Sequence, residues 1–169
     1  MSEETRTKLN EVLTDAFALN MFCDNAVYQI DYDVYPKTAG VVHEAYAHYW
    51  PAFADKISDA MIRLNAKPVR FNFTVEYEDY NGDLAKLFKR IAEETKKYRD
   101  KIKDAIELAE LNDDPEVKLF LEEMILAMTP YRKQADIWAV EADRYQGNYK
   151  SFDARISTFT TMIPIPEVD

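Results

Sequence analysis

Apolar residues recur at alternating steps of three and four in four separate stretches of this chain, which restricts it to long amphipathic helices. In the first stretch, about residues 8–35, Leu9, Leu13, Ala16, Asn20, Cys23, Val27, Ile30 and Val34 share one face. The second, about 41–65, aligns Val42, Tyr46, Tyr49, Trp50, Phe53, Ile57, Ala60, Met61 and Leu64. The third, about 83–111, aligns Leu84, Phe88, Ile91, Thr95, Tyr98, Ile102, Ala105 and Ala109. The fourth, about 114–145, opens on Asp113-Asp114-Pro115-Glu116, where acidic caps and a first-turn proline favour a helix start. Its stripe runs through Val117, Leu121, Met124, Met128, Tyr131, Ala135, Trp138, Ala142 and Tyr145. Two prolines interrupt these helices. Pro51 should kink the second or leave one carbonyl without a partner, and Pro130 should kink the fourth.

The connections set the topology. Pro36 to Gly40 reads as a short turn, whereas residues 66–82 form a link long enough to cross a bundle end to end. Within it Phe71, Phe73, Val75 and Tyr77 alternate with polar residues, the period of extended chain lying along the bundle or pairing with a symmetry mate. Two helical hairpins joined by one long crossover make an all-α, ferritin-like four-helix bundle. The 169 residues suit one domain of that kind, with residues 146–169 as an irregular C-terminal arm. Only three glycines argue against a turn-rich β fold. The lone Cys23 can form no internal disulfide, and no stretch is apolar enough to span a membrane, so a cytoplasmic protein is expected. A net charge of −10 repels nucleic acid and anionic membranes while concentrating cations.

Candidate chemistry gathers on the second helix, which holds both histidines. On a wheel of about 100° per residue with Trp50 at zero, Glu44, Asp55, His48 and Asp59 lie near 120° to 180°, opposite the apolar side. His43 lies near 20°, at the edge of the core. A polar stripe of this kind is either a solvated face or one that meets another chain. A di-iron centre inside the bundle would need inward glutamates and Glu-x-x-His pairs. The fourth helix offers Glu122 and Glu123 but no histidine, and Ala47 stands where the second helix would need one. An internal site would require Glu94, Glu122 or Glu123 to turn inward.

The stretch Val27-Tyr28-Gln29-Ile30-Asp31-Tyr32, then His43-Glu44, then Asp55 through Pro68, resembles the first two helices of the Dps miniferritins. Ala105 to Glu110 before Asp113-Asp114-Pro115, and Ala135-Asp136-Ile137-Trp138, are similar to later landmarks of that family. The resemblance implies a hollow homo-oligomer of twelve subunits with a two-fold interface through the second helix. It also implies a ferroxidase site between subunits that oxidises ferrous iron with peroxide, stores the ferric product and protects against oxidative stress. Carried over by position, Asp55 and Asp59 match the family's carboxylate pair. His43 matches its second-helix histidine when the helix is aligned at His-Glu, and Glu44 matches the following carboxylate when it is aligned from Asp55. Asp31-Tyr32 replaces the family's His-Trp, putting an oxygen ligand where it has a nitrogen. The expected iron ligands are therefore Asp31, His43, Glu44, His48, Asp55 and Asp59. Hard carboxylate oxygens and imidazole both suit iron. The DNA-binding members use a lysine-rich tail, whereas Arg6 and Lys8 here face Glu3 and Glu4, so DNA binding is not expected. The alternative to a ferroxidase is an assembly that keeps the bundle without iron chemistry, as a structural or interaction protein.

Overall fold

A computed structural model describes residues 1–162. Six α-helices appear: α1 (Glu3–Tyr32), α2 (Pro36–Val42), α3 (Tyr49–Arg63), α4 (Leu84–Leu111), α5 (Pro115–Arg144) and α6 (Tyr149–Phe159). A single π-helical turn, His43–Ala47, joins α2 to α3. No strand occurs among the described residues. The α2–α3 arm lies beside α1 and α5 lies beside α4, so two hairpins close on one core. The all-α bundle with a long crossover is as expected.

Helix boundaries follow local chemistry. Helix α1 begins earlier than its apolar stripe because the Thr5 amide donates to Ser2 Oγ at 3.0 Å, with Glu3 and Glu4 in the first turn facing the helix dipole. It ends at a left-handed Val34, φ 66°. The turn expected at residues 36–40 is instead the start of α2: Pro36 occupies the first turn, where its missing N–H costs nothing. Asp83 caps α4 by accepting from the Lys86 amide at 3.1 Å. Helix α5 continues unbroken past Pro130.

The arm expected to be irregular from residue 146 contains α6. Tyr149, Phe152, Ile156 and Phe159 keep the three-four spacing, and the rings of Phe152 and Phe88 meet at 5.5 Å. Asp153 accepts from the Thr38 amide at 2.7 Å and so caps α2 from across the bundle. Gln134, buried on α5, holds the following segment with both ends of its amide: Nε2 donates to Phe159 O and Oε1 accepts from Thr161 N, each at 2.7 Å. Pro164 to Pro166 lies outside the described residues.

The crossover is extended, as its alternation indicated, and lies on α1. The Val69 and Phe71 amides donate to Asn10 Oδ1 (2.8 Å) and Thr14 Oγ1 (2.9 Å), and the Arg70 guanidinium covers the Phe17 ring at 4.7 Å. Farther on, Gln29 donates to Glu78 O at 2.7 Å and accepts from Tyr80 N at 3.0 Å. Partner positions on α1 rise with those on the crossover, so the two run parallel for most of the bundle's length. Replacing Gln29 by Leu should remove both ends of this clamp and cost about 1–3 kcal/mol. Chemical denaturation would measure that loss, and limited proteolysis should cut residues 72–79 faster; an unchanged midpoint would show that Gln29 does not hold the crossover.

Candidate functional site

Pro51 shapes the site. In a continuous α-helix the residue 51 amide would bond to the Ala47 carbonyl, but proline has no N–H and its ring crowds that oxygen. The chain widens one turn ahead of it: the His48 amide bonds back to His43 O at 3.2 Å, five residues away. The Ala47 carbonyl is taken instead by Asn20 Nδ2 of α1 at 3.0 Å. Pro51 then falls in the first turn of α3, where no amide partner is required.

A π turn inserts one extra residue, so everything before it rotates by about 100° relative to α3. His43, expected at the core edge, consequently moves onto the polar stripe. Its ring meets that of His48 at 4.2 Å between centroids. Glu44 reaches both, with Oε1 3.4 Å from His43 Nδ1 and Oε2 3.5 Å from His48 Nδ1. The three side chains are 42%, 52% and 72% exposed for His43, His48 and Glu44, so this is an open cluster on the outer surface.

The other expected ligands lie apart from it. Asp55 and Asp59, one turn apart and exposed, begin about 10 Å farther along α3. Asp55 borders a cleft of about 250 Å³ with Ser58, Leu13, Phe17, Val69 and Arg70. Asp31 is exposed near the end of α1. Counting residues from the Asn20–Ala47 contact places it about 10 Å beyond His43 on the other side. Within one chain, no three His, Cys, Asp or Glu residues among those described are placed to hold a metal.

The bundle interior has a different character. Where a metal centre between four helices would lie, Tyr46, Trp50, Tyr98 and Trp138 pack with centroid distances of 5.4 Å (Tyr46–Trp138) to 5.8 Å (Trp50–Tyr98). Tyr46 OH pairs with Thr95 Oγ1, which also bonds Ile91 O, and Tyr98 OH donates to Val12 O at 3.0 Å. Among the described residues the only buried carboxylate is Asp114, held at one end of the bundle by the Ser2 amide. Glu94 pairs outward with Arg90 at 2.7 Å and Lys97 at 3.0 Å, while Glu122 and Glu123 are exposed. Two buried side-chain polar atoms lack partners among the described residues, Thr38 Oγ1 and Trp50 Nε1, and neither belongs to a carboxylate or imidazole. An internal di-iron centre does not fit these described residues: Arg90 and Lys97 hold Glu94 at the bundle's edge, and Glu122 and Glu123 face outward.

The sequence offered two signals for the π turn: a proline four residues after Ala47, and an asparagine set in the apolar stripe of α1.

With this geometry in hand, comparison with solved structures is decisive for the fold. An open-pore ferritin from the hyperthermophilic archaeon Archaeoglobus fulgidus superposes with a TM-score of 0.83, at 12% identity, over 95% of this chain and 98% of that one. A variant of PmFTN, in a crystal soaked in iron, superposes with a TM-score of 0.81, at 17% identity, over 90% and 99%. This chain has the ferritin fold. No family model matches its sequence, and no curated protein matches it. At such identities the likeness establishes the ferritin fold and assigns no residue a role. No helix of this ferritin-fold chain, among the described residues, is long and apolar enough to cross a membrane.

Cys23 sits in this core, fully buried, and burial together with the charges of Asp24 and Glu94 pushes its thiol well above the usual range. It should therefore resist a thiol reagent in the native protein and react only on unfolding. Labelling at the native rate of an exposed thiol would contradict that packing.

Proposed function

We propose that this chain forms a Dps-like homo-oligomer in the cytoplasm, dodecameric as the resemblance implies, and oxidises ferrous iron at a site shared between two copies. The observation that supports this most is the division of the ligands: every expected ligand is on the outer surface, and the centre of the bundle holds no carboxylate or imidazole among the described residues.

Two α3 helices packed antiparallel about a two-fold axis near Pro51 bring together positions equidistant from that axis. His48, three residues before Pro51, then faces Asp55 of the other copy, four residues after it. His43, eight before, faces the other copy's Asp59, eight after, with Glu44 beside it. Each of the two equivalent sites so formed combines imidazole and carboxylate donors, a set suited to iron. Asp31 stands off from the histidines and acts as an outer carboxylate that draws cations inward, aided by the overall negative charge. In the reaction, two ferrous ions each give one electron to a peroxide, whose O–O bond breaks to form two waters with two added protons. The ferric product is stored within the shell, which removes both reagents of radical damage.

The stand-off of Asp31 favours the second reading, an assembly without iron chemistry. Ferrous iron added to the purified oligomer with peroxide decides between them. Oxidation should run faster than in buffer and fall at least tenfold in Asp55→Ala and in His43→Ala, whereas Glu122→Gln should leave it within twofold. Wild-type oxidation no faster than buffer removes the ferroxidase reading and leaves the structural one; light scattering gives the size of the assembly.

A further inference from the structure

We infer that Asn20 and Pro51 are a paired positioning device: together they hold the π turn that sets His43 beside His48. This deepens the proposed site and rests on it for its purpose, but its geometry is independent of any metal.

One carbonyl links the two residues. Ala47 O is the acceptor that a residue 51 amide would have used, and Pro51 cannot supply that amide. A buried carbonyl left without a donor is costly, and the Asn20 amide reaches it from the neighbouring helix at 3.0 Å. Asn20 interrupts the α1 stripe between Ala16 and Cys23, both fully buried, so a polar side chain here needs a reason. Accepting from Asn20 directs Ala47 O toward α1. The His48 amide bonds back to His43 O and closes the wide turn.

The consequence falls on the histidines. In an uninterrupted α-helix residues 43 and 48 would be rotated by about 140° from one another and about 7.5 Å apart along the axis. The π turn brings their rings edge to face at 4.2 Å between centroids instead, with Glu44 between the two Nδ1 atoms. Neither Asn20 nor Pro51 touches an imidazole in the contacts described above; each acts through the backbone. Pro51→Ala would restore the missing amide, release Asn20 and let the helix return to ordinary register, rotating His43 back toward the core edge.

Proximity can be read without metal. Cysteines placed by His43→Cys and His48→Cys should close an intrachain disulfide on mild oxidation, because the π turn brings them within bridging reach. An ordinary helix holds that pair beyond the limit of about 7 Å. Closure, followed by mass under non-reducing conditions, should slow at least tenfold when Pro51→Ala is added, with helix content by circular dichroism and oligomer size unchanged. Equal closure in both backgrounds, or closure in neither, overturns the inference.

A second measurement covers a variant that folds poorly. Asn20→Ala should lower the folding equilibrium constant about tenfold when Pro51 is present and change it less than twofold when residue 51 is alanine, since the new amide then serves Ala47 O. The same loss in both backgrounds would mean that Asn20 does not serve the carbonyl freed by Pro51. These readouts separate the two ideas. A chain that passes both and oxidises no iron keeps the positioning device and loses the proposed function. One that oxidises iron and fails both keeps the function without the device.

Discussion

Pro51 cannot donate to Ala47, and much of this molecule's surface chemistry follows from how the fold accommodates that fact. A proline in mid-helix usually bends the axis or leaves a carbonyl exposed to water. Here the helix is packed against α1, and Ala47 is fully buried, so water is not available to that oxygen. The Asn20 amide substitutes for it, and the extra residue of the π turn keeps α2 and α3 close enough to continuous for Val42, Tyr46, Trp50 and Phe53 to remain in one core. A backbone defect is converted into a side-chain contact between helices. Its by-product is a rotated histidine.

The core explains why that rotation matters. A bundle that binds metal internally must keep ionised carboxylates away from water, which is tolerable only when cations compensate them. This interior contains tyrosine, tryptophan, methionine and leucine, with hydroxyls satisfied by Thr95, Ile91 and Val12. Such packing gains burial free energy and edge-to-face ring contacts, but among the described residues it leaves no carboxylate or imidazole at the centre. Glu94 stays at the bundle's edge, half-buried, because Arg90 and Lys97 pair with it there. On the proposed reading, cation chemistry belongs to this chain's surface.

The elements read most securely from sequence were those governed by long-range periodicity. Each of the four stripes spans many turns, so single exceptions such as Asn20 or Thr95 did not hide the helices. The crossover was equally legible, because its alternating Phe73 and Val75 need a half-buried extended chain. What escaped were features set by a partner across the bundle. Helix α6 has only eleven residues, and much of its stability comes from packing Phe152 on Phe88 and from the Asp153 cap on α2, neither visible locally. The π turn escaped for the same reason. Pro51 signalled a missing bond, but only the position of Asn20, 27 residues earlier than Ala47, shows how that bond is replaced. The regular wheel thus puts His43 at the core edge, and the π turn moves it outward.

A site divided between copies also changes what metal does for the protein. A ligand set complete within one chain stabilises that chain alone. One formed by His43 and His48 of one copy with Asp55 and Asp59 of another would bind metal only in the assembled pair, so metal and assembly would strengthen each other by the same factor. Carboxylates brought together by pairing repel one another until a cation arrives, which opposes assembly without metal. The imidazoles add no negative charge and so leave that repulsion smaller than carboxylates in their place would. In the proposed site, moving His43 onto the stripe would therefore do more than add a ligand. It would dilute negative charge at the contact where two acidic surfaces have to meet, a role the rotated histidine would fill even in an assembly that never meets iron.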